Sequence, residues 1–288
     1  MPLLVDTIAA LRARLNDLRR TGTVGLVPTM GALHAGHVRL MTQARRECDH
    51  VVVSIFVNPL QFDRDDDLRR YPRSLQNDLD LCTENNVDLV FGPGVAEMYP
   101  QEPCVTVAVG RLADHLCGPH RPGHFQGVAT VVLKLFEIVR PDRAYFGEKD
   151  AQQLAIIRRM VRDFDMPITV VGVPTVRESD GLALSSRNQQ LTETERRSAA
   201  ILYQALAEAD RQIASGVADA ALVTGAARAL VPNDAELRLE YLEAVDPDNM
   251  QPVEQILGPV RVAGALWVGR TRLIDNVLCT PIRRSRET

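Results

Sequence analysis

No apolar run in this chain approaches the ~18 residues that a membrane-crossing helix needs, and the N-terminus carries no apolar segment followed by a cleavage site. The sequence therefore predicts a cytosolic protein that makes no use of a membrane. There is no C-x-x-C pair. The five cysteines, Cys48, Cys82, Cys104, Cys117 and Cys279, are scattered and odd in number, so neither a disulfide framework nor a zinc site is indicated. They read as reduced packing residues, with a nucleophilic role left open for Cys117, which lies in a glycine- and histidine-rich loop. A basic excess is missing too. Thirty-three Lys and Arg stand against 37 Asp and Glu, a net charge of −4, which weighs against binding nucleic acid. The basic tail Arg283-Arg284-Ser285-Arg286 reads as a solvated terminus rather than a binding arm. No G-x-G-x-x-G follows the first strand, which argues against a dinucleotide dehydrogenase, and there is no internal repeat or low-complexity tract.

What is present is enough apolar material, 45% of 288 residues, to bury a sizeable core in one large or two ordinary domains, two being preferred. Ile8 to Arg20 has helical spacing and ends at Thr21-Gly22. Val24 to Val27, Val51 to Val57, Val87 to Phe91, Arg143 to Phe146 and Ile168 to Val173 read as strands, and Val105 to Val109 as a further short one. Between them Val38 onward, Leu75 to Asn85, Val128 to Val139 and Asp150 to Phe164 read as helices, with polar loop or short helix from Asp63 to Arg70. Such alternation predicts an α/β fold, a Rossmann-like doubly wound parallel sheet over residues 1–176. After Pro174 the texture changes. Alanine-rich helical stretches (Glu193 to Ser215, Ala218 to Leu230) and strands at Leu237 to Val245, Val260 to Val268 and Leu273 to Val277 predict a smaller α+β domain over 177–288. The irregular stretch Gly110 to Gly127, with His115, His120 and His124, is a candidate flap over a site or an ordinary surface loop.

The most informative stretch is Val24 to Val38, V-G-L-V-P-T-M-G-A-L-H-A-G-H-V. A strand breaks at Pro28, turns through Gly31 and Gly36, and enters a helix, the arrangement in which helix N–H groups at a strand's carboxyl end receive an anion. His34 and His37, three apart, share a face if the helix starts near His34. They suit phosphate recognition; alternatively one caps the helix and the other packs, and no nearby Cys or HExxH completes a metal set. Phe146-Gly147-Glu148-Lys149-Asp150 repeats the logic: a strand ends, a glycine turns, and a helix begins with Lys149 able to meet a phosphate and Asp150 able to cap or reach a hydroxyl. Two hydroxyls and a guanidinium in Leu184-Ser185-Ser186-Arg187 can wrap a triphosphate.

His34-Ala35-Gly36-His37 resembles the HIGH signature of the nucleotidylyltransferase superfamily, which includes class I aminoacyl-tRNA synthetases. With S-I-F-V-N-P-x-Q-F (Ser54 to Phe62), Y-P-R (Tyr71 to Arg73), R-P-G-H-F (Arg121 to Phe125), F-G-E-K-D (Phe146 to Asp150) and L-S-S-R-N (Leu184 to Asn188), the chain resembles the pantothenate synthetase (pantoate:β-alanine ligase) family over nearly its whole length, more loosely in its last third. The resemblance implies condensation of pantoate with β-alanine through a pantoyl adenylate, using ATP and Mg²⁺. Catalytic roles are expected for His34, His37, Lys149 and Arg187. ATP would be held by Met30, Gly31, Ala32, Leu33, His34, Ala35, Gly36, His37, Gly147, Glu148, Lys149, Asp150, Val176, Leu184, Ser185, Ser186 and Arg187, and pantoate and β-alanine by Gln61, Gln153, Arg121 and His124. Asp78 is the expected metal ligand, Asn77 and Ala151 being departures from the family pattern, and a homodimer is expected. Another nucleotidylyltransferase with a phosphate acceptor is the competing reading; a non-catalytic nucleotide- or RNA-binding module is disfavoured by the intact histidines, Lys149 and Arg187.

Overall fold

Val51, Val52 and Val53 are fully buried, the burial a central strand of a parallel sheet demands of an unbroken β-branched run. The computed structural model describes residues 1–232 and 236–281; the basic tail Arg283-Arg284-Ser285-Arg286 lies outside the described residues. Six strands, β1 (Leu3–Val5), β2 (Val24–Thr29), β3 (His50–Ile55), β4 (Leu89–Phe91), β5 (Arg143–Gly147) and β6 (Thr169–Val173), form one sheet in the order β1-β4-β3-β2-β5-β6. Every pairing in it is parallel. Strand order runs one way from β2 through β3 to β4 and the other way from β5 to β6. The switch point, where crevices open at the carboxyl ends of such sheets, therefore lies between β2 and β5.

Residues Met1–Val109, Arg121–Glu148 and Ile156–Val176 make one compact unit around this sheet. The helix Ala35–Glu47 lays Leu40, Met41 and Ala44 on it, against Val27, Val51, Val53 and Tyr145. The helix His124–Val139 starts four residues earlier than its apolar pattern suggested and is buried along most of its length, leaving only a narrow stripe through Gln126 and Glu137 exposed.

The second unit holds Gly110–His120, Lys149–Ala155 and the described residues from Arg177 onward. The chain thus does not divide by one cut at 176: two short stretches before that point group with the residues after it. Its sheet is an antiparallel meander of β7 (Leu237–Val245), β8 (Val260–Val268) and β9 (Thr271–Cys279). The turn between β8 and β9 is the two residues Gly269-Arg270, with Val268 opposite Thr271. Against it pack the helices Ile201–Ala214 and Ala220–Arg228 through Leu202, Ala205, Leu206, Ala209, Ile213 and Val223. The alanine spacing is what brings helix and sheet close.

Several elements differ from the sequence expectation. β1 was not anticipated, since three residues are too few to show a period. Val105 to Val109 forms no strand and joins neither sheet. Glu193 to Ser215 is two helices, Glu193–Ala199 and Ile201–Ala214, meeting at Ala200. The stretch Gly110 to Gly127 is more regular than its composition suggested. It consists of short helical turns at Arg111–Ala113 and Cys117–His120, and its last glycines belong to the start of the helix His124–Val139.

Candidate active site

β2 ends at Thr29, whose hydroxyl donates to the Ser54 carbonyl at 2.7 Å and accepts from the Gly31 N–H at 3.2 Å. The chain then turns through left-handed backbone at Gly31 (φ 80°) and Ala32 (φ 50°). A side chain at 31 would meet Asp78 Oδ2 at 2.9 Å as well as the wrong φ, so glycine is required there. Asp78, from the helix Leu75–Glu84, braces the turn: its Oδ2 accepts from the Ala32 N–H at 3.0 Å and its Oδ1 from the Leu33 N–H at 2.7 Å.

The helix Ala35–Glu47 starts with a capping box built from histidines. Nδ1 of His34 accepts from the Gly36 N–H at 3.1 Å, and Nδ1 of His37 accepts from the His34 N–H at 3.2 Å. The two rings lie 4.2 Å apart between centroids. Backbone N–H groups only donate, so both Nδ1 atoms are acceptors and each neutral ring carries its proton on Nε2. Capping and donor roles are thus not alternatives, since one edge of each ring fastens the helix and the other is an N–H donor.

Asp78 does not fit the metal role expected of it. The carboxylate is 2% exposed, both its oxygens are committed to backbone N–H groups, and burial raises its pKa against the ionised form, the Leu33 and Ala32 N–H groups opposing that shift. Among the described residues no three His, Cys, Asp or Glu side chains are grouped as metal ligands.

Beyond β3, Asn58-Pro59-Leu60-Gln61 forms a 3-10 turn with Asn58 as its N-cap and proline at the first position. Gln61 is buried and its Nε2 lies 3.0 Å from Met30 Sδ, in the histidine turn. Arg121 and His124, expected on a substrate, hold this turn. His124 Nδ1 donates to the Gln61 carbonyl at 2.8 Å, and Arg121 Nη2 donates to the same oxygen at 3.2 Å. Arg121 is further engaged by Asp63 at 3.1 Å and by His124 Nε2 at 3.2 Å. Gly127 lets the helix backbone approach: an added Cβ would sit 2.2 Å from the Leu60 carbonyl oxygen. Asn58, 1% exposed, ties these parts together, and its role was not read from the sequence although an asparagine before proline at a strand end is a capping signal.

In the second unit Lys149 lies in the 3-10 turn Glu148–Asp150, which leads into the helix Ala151–Asp163. Its Nζ is 3.9 Å from Asp150 Oδ2, and its carbonyl accepts from Asn276 Nδ2 at 2.9 Å. The neighbouring Asp275, 5% exposed, is paired with Arg177. Burial raises the Asp275 pKa and the Arg177 guanidinium opposes that shift. Gln152 is buried and structural: its Oε1 accepts from the Cys117 N–H at 3.0 Å, and its Nε2 donates to the Leu112 and His115 carbonyls, each at 2.8 Å. Those bonds fix the stretch that looked like a flap. Gln153 is half-buried on the same helix. Ser185 caps the 3-10 turn Ser186–Gln190 by accepting from the Arg187 N–H at 3.3 Å. Ser186 is buried, while Ser185 and Arg187 are half-buried.

A histidine-bearing helix start at the switch point of a parallel sheet is the place where an α/β enzyme receives an anionic ligand such as a nucleotide phosphate. The chain belongs to the pantoate-beta-alanine ligase family, whose model matches residues 3–278. Among its relatives, the pantothenate synthetase of Sinorhizobium medicae is 53% identical over 279 residues, 96% of each chain. The crystal structure of pantothenate synthetase from Thermus thermophilus is 49% identical and superposes with a TM-score of 0.92 over 98% of this chain and all of the other. That of the Francisella tularensis pantoate-beta-alanine ligase, complexed with beta-gamma ATP and beta-alanine, is 36% identical, with a TM-score of 0.81 over 96% of this chain and 98% of the other. Bifunctional pantoate ligase/cytidylate kinases also match, and the chain spans about half of their length, 54% for that of Thermosynechococcus vestitus.

Proposed function

We propose that the chain condenses pantoate with β-alanine in two half-reactions at the expense of ATP. The carboxylate of pantoate attacks the α-phosphorus of ATP, the bond to pyrophosphate breaks, and pantoyl adenylate forms. The amine of β-alanine then attacks the acyl carbon, and AMP leaves with the carboxylate oxygen. No nucleophile of the protein takes part. The rate therefore rests on positioning and on charge placed in advance.

The observation that carries this reading is the reciprocal histidine cap. It fixes two Nε2–H donors at the carboxyl end of β2, where developing negative charge on a phosphoryl group needs them. Lys149 and Arg187 take the charge that spreads onto pyrophosphate, Arg187 as a fork and Lys149 as a point charge. Met30, Gly31, Ala32, Leu33, Ala35, Gly36, Gly147, Glu148, Asp150, Val176, Leu184, Ser185 and Ser186 contribute backbone and side chains to the nucleotide, and Gln61 and Gln153 hold pantoate. Arg121 and His124 act through Gln61. Mg²⁺ enters with ATP as part of the substrate. ATP as co-substrate and five free cysteines fit a reducing, cytoplasmic setting. The expected homodimer has a candidate seam in Val105–Val109, where Val105 is 86% exposed.

ATP–pyrophosphate isotope exchange in the presence of Mg²⁺ and pantoate, with β-alanine omitted, tests the first half-reaction. Pantoate-dependent exchange, followed on adding β-alanine by stoichiometric AMP and pantothenate, is the expected result; its absence overturns the adenylate route.

A further inference from the structure

The two ends of a side-chain amide are almost the same size, so only the surrounding hydrogen bonds decide which end faces a ligand. At Gln61 that decision traces to Asn58. Nδ2 of Asn58 donates to the Gly127 carbonyl at 3.1 Å and to Gln61 Oε1 at 3.0 Å. Its Oδ1 accepts from the Tyr99 hydroxyl at 2.9 Å and from the Leu60 N–H at 3.4 Å. Gly127 C=O only accepts and Leu60 N–H only donates, so the Asn58 amide has one orientation. The Tyr99 hydroxyl, which burial keeps protonated with a pKa pushed up to about 12, adds a bond without choosing the direction, since a hydroxyl serves either role.

We propose that Asn58 is a positioning residue that sets the polarity of the Gln61 amide, so that Gln61 presents its Nε2–H₂ donor, and not its carbonyl, to pantoate. This rests on the reading above in which Gln61 holds pantoate. Oε1 of Gln61 is taken by Asn58, and among the described residues Nε2 has only the thioether of Met30 as a hydrogen-bond contact. A thioether is a weak acceptor, readily exchanged for a substrate carboxylate or hydroxyl oxygen. The Gln61 main chain is fixed by His124 and Arg121 on its carbonyl, so the side chain answers to the polarity of Asn58 rather than to a movement of the turn. Helix backbone, asparagine and glutamine form one directional relay running from the Gly127 carbonyl to the substrate.

The test is Asn58→Asp, which keeps the acceptor for Leu60 and Tyr99 but removes the donor to Gln61. At neutral pH the Gln61 amide then turns to donate to the introduced carboxylate and shows its carbonyl to pantoate. The KM for pantoate is expected to rise by about 30-fold or more, the discrimination a reversed buried polar group produces, while the KM for ATP stays within about twofold. Lowering the pH protonates the introduced carboxyl, restores a donor to Gln61 and returns the pantoate KM toward the wild-type value. Tyr99→Phe should leave the pantoate KM nearly unchanged. A defect that is the same at every pH, or that raises both KM values together, overturns the proposal. Should Asn58→Asp fold poorly, Gln61→Glu reports independently, because it offers pantoate an acceptor only; wild-type pantoate binding by that variant also overturns the relay. Gln61→Ala separates the two claims, since an unchanged pantoate KM there removes Gln61 from the substrate and the relay with it.

Discussion

Asp78 Oδ1 accepts the N–H of Leu33 across 45 residues of sequence, at 2.7 Å. With the bond to Ala32 it makes a carboxylate on one helix the inner support of the turn that ends in the two histidines. Asp78→Ala leaves two buried N–H groups unsatisfied, which costs about 2–6 kcal/mol at 1–3 per group. Chemical denaturation should show that loss, together with a steep fall in pyrophosphate exchange.

The same residue has a signature in pH. Burial raises its folded-state pKa above the unfolded value, despite the two N–H groups, so the native state holds a proton that the unfolded chain releases. Its stability contribution is complete below the ordinary aspartate range, about pH 4, and is lost as pH rises through the raised pKa. The margin by which wild type exceeds Asp78→Asn in urea unfolding should therefore widen as pH falls toward the ordinary aspartate range; a narrowing margin would contradict the direction of the shift.

His37→Ala and Lys149→Ala each remove one preorganised donor and should lower adenylate formation by about 10²-fold or more. Single-turnover measurement of pantoyl adenylate checks this directly. A variant with near-normal turnover would take its residue out of the proposed role.

Gly127→Ala places a methyl 2.2 Å from the Leu60 carbonyl oxygen and 2.7 Å from the Gln61 N–H nitrogen. Backbone must move on one side or the other, at about 1–3 kcal/mol. A lower Tm accompanied by a raised pantoate KM is the expected pair of readouts.

Arg177→Met breaks the pair with Asp275, a nearly buried carboxylate. Stranding that charge costs about 3–5 kcal/mol. Thermal unfolding of the variant measures it, and Asp275→Asn in the same background should recover part of the loss.

The elements with a strong period were legible in the sequence. Val51-Val52-Val53 announced a central strand, and the switch from Val24–Val27 to the Val38 pattern across two glycines announced the turn. Val105–Val109 misled for a physical reason: β-branched residues favour extended backbone whether or not a neighbouring strand exists. The same limit applies to the site. His34 and His37 stood out by spacing, yet the identity of their hydrogen-bonded nitrogens required backbone positions. That Arg121 and His124 meet the Gln61 carbonyl could not be read from their motif, because a motif names side chains and is silent about the backbone oxygen they meet. Asn58 and Gln152 carry no periodic signal, since their partners, Gly127 in one case and Leu112, His115 and Cys117 in the other, are distant in sequence.

A helix end fastened by the very rings proposed to act on phosphate has a mechanical corollary. Fraying of the first turn of Ala35–Glu47, an event much smaller than global unfolding, would release both imidazoles from their tautomers and their orientation at once. Warmth or denaturant should therefore silence the enzyme before it melts, and anything that stiffens that single turn would act as a heat-resistance device for activity while adding little to the stability of the whole chain.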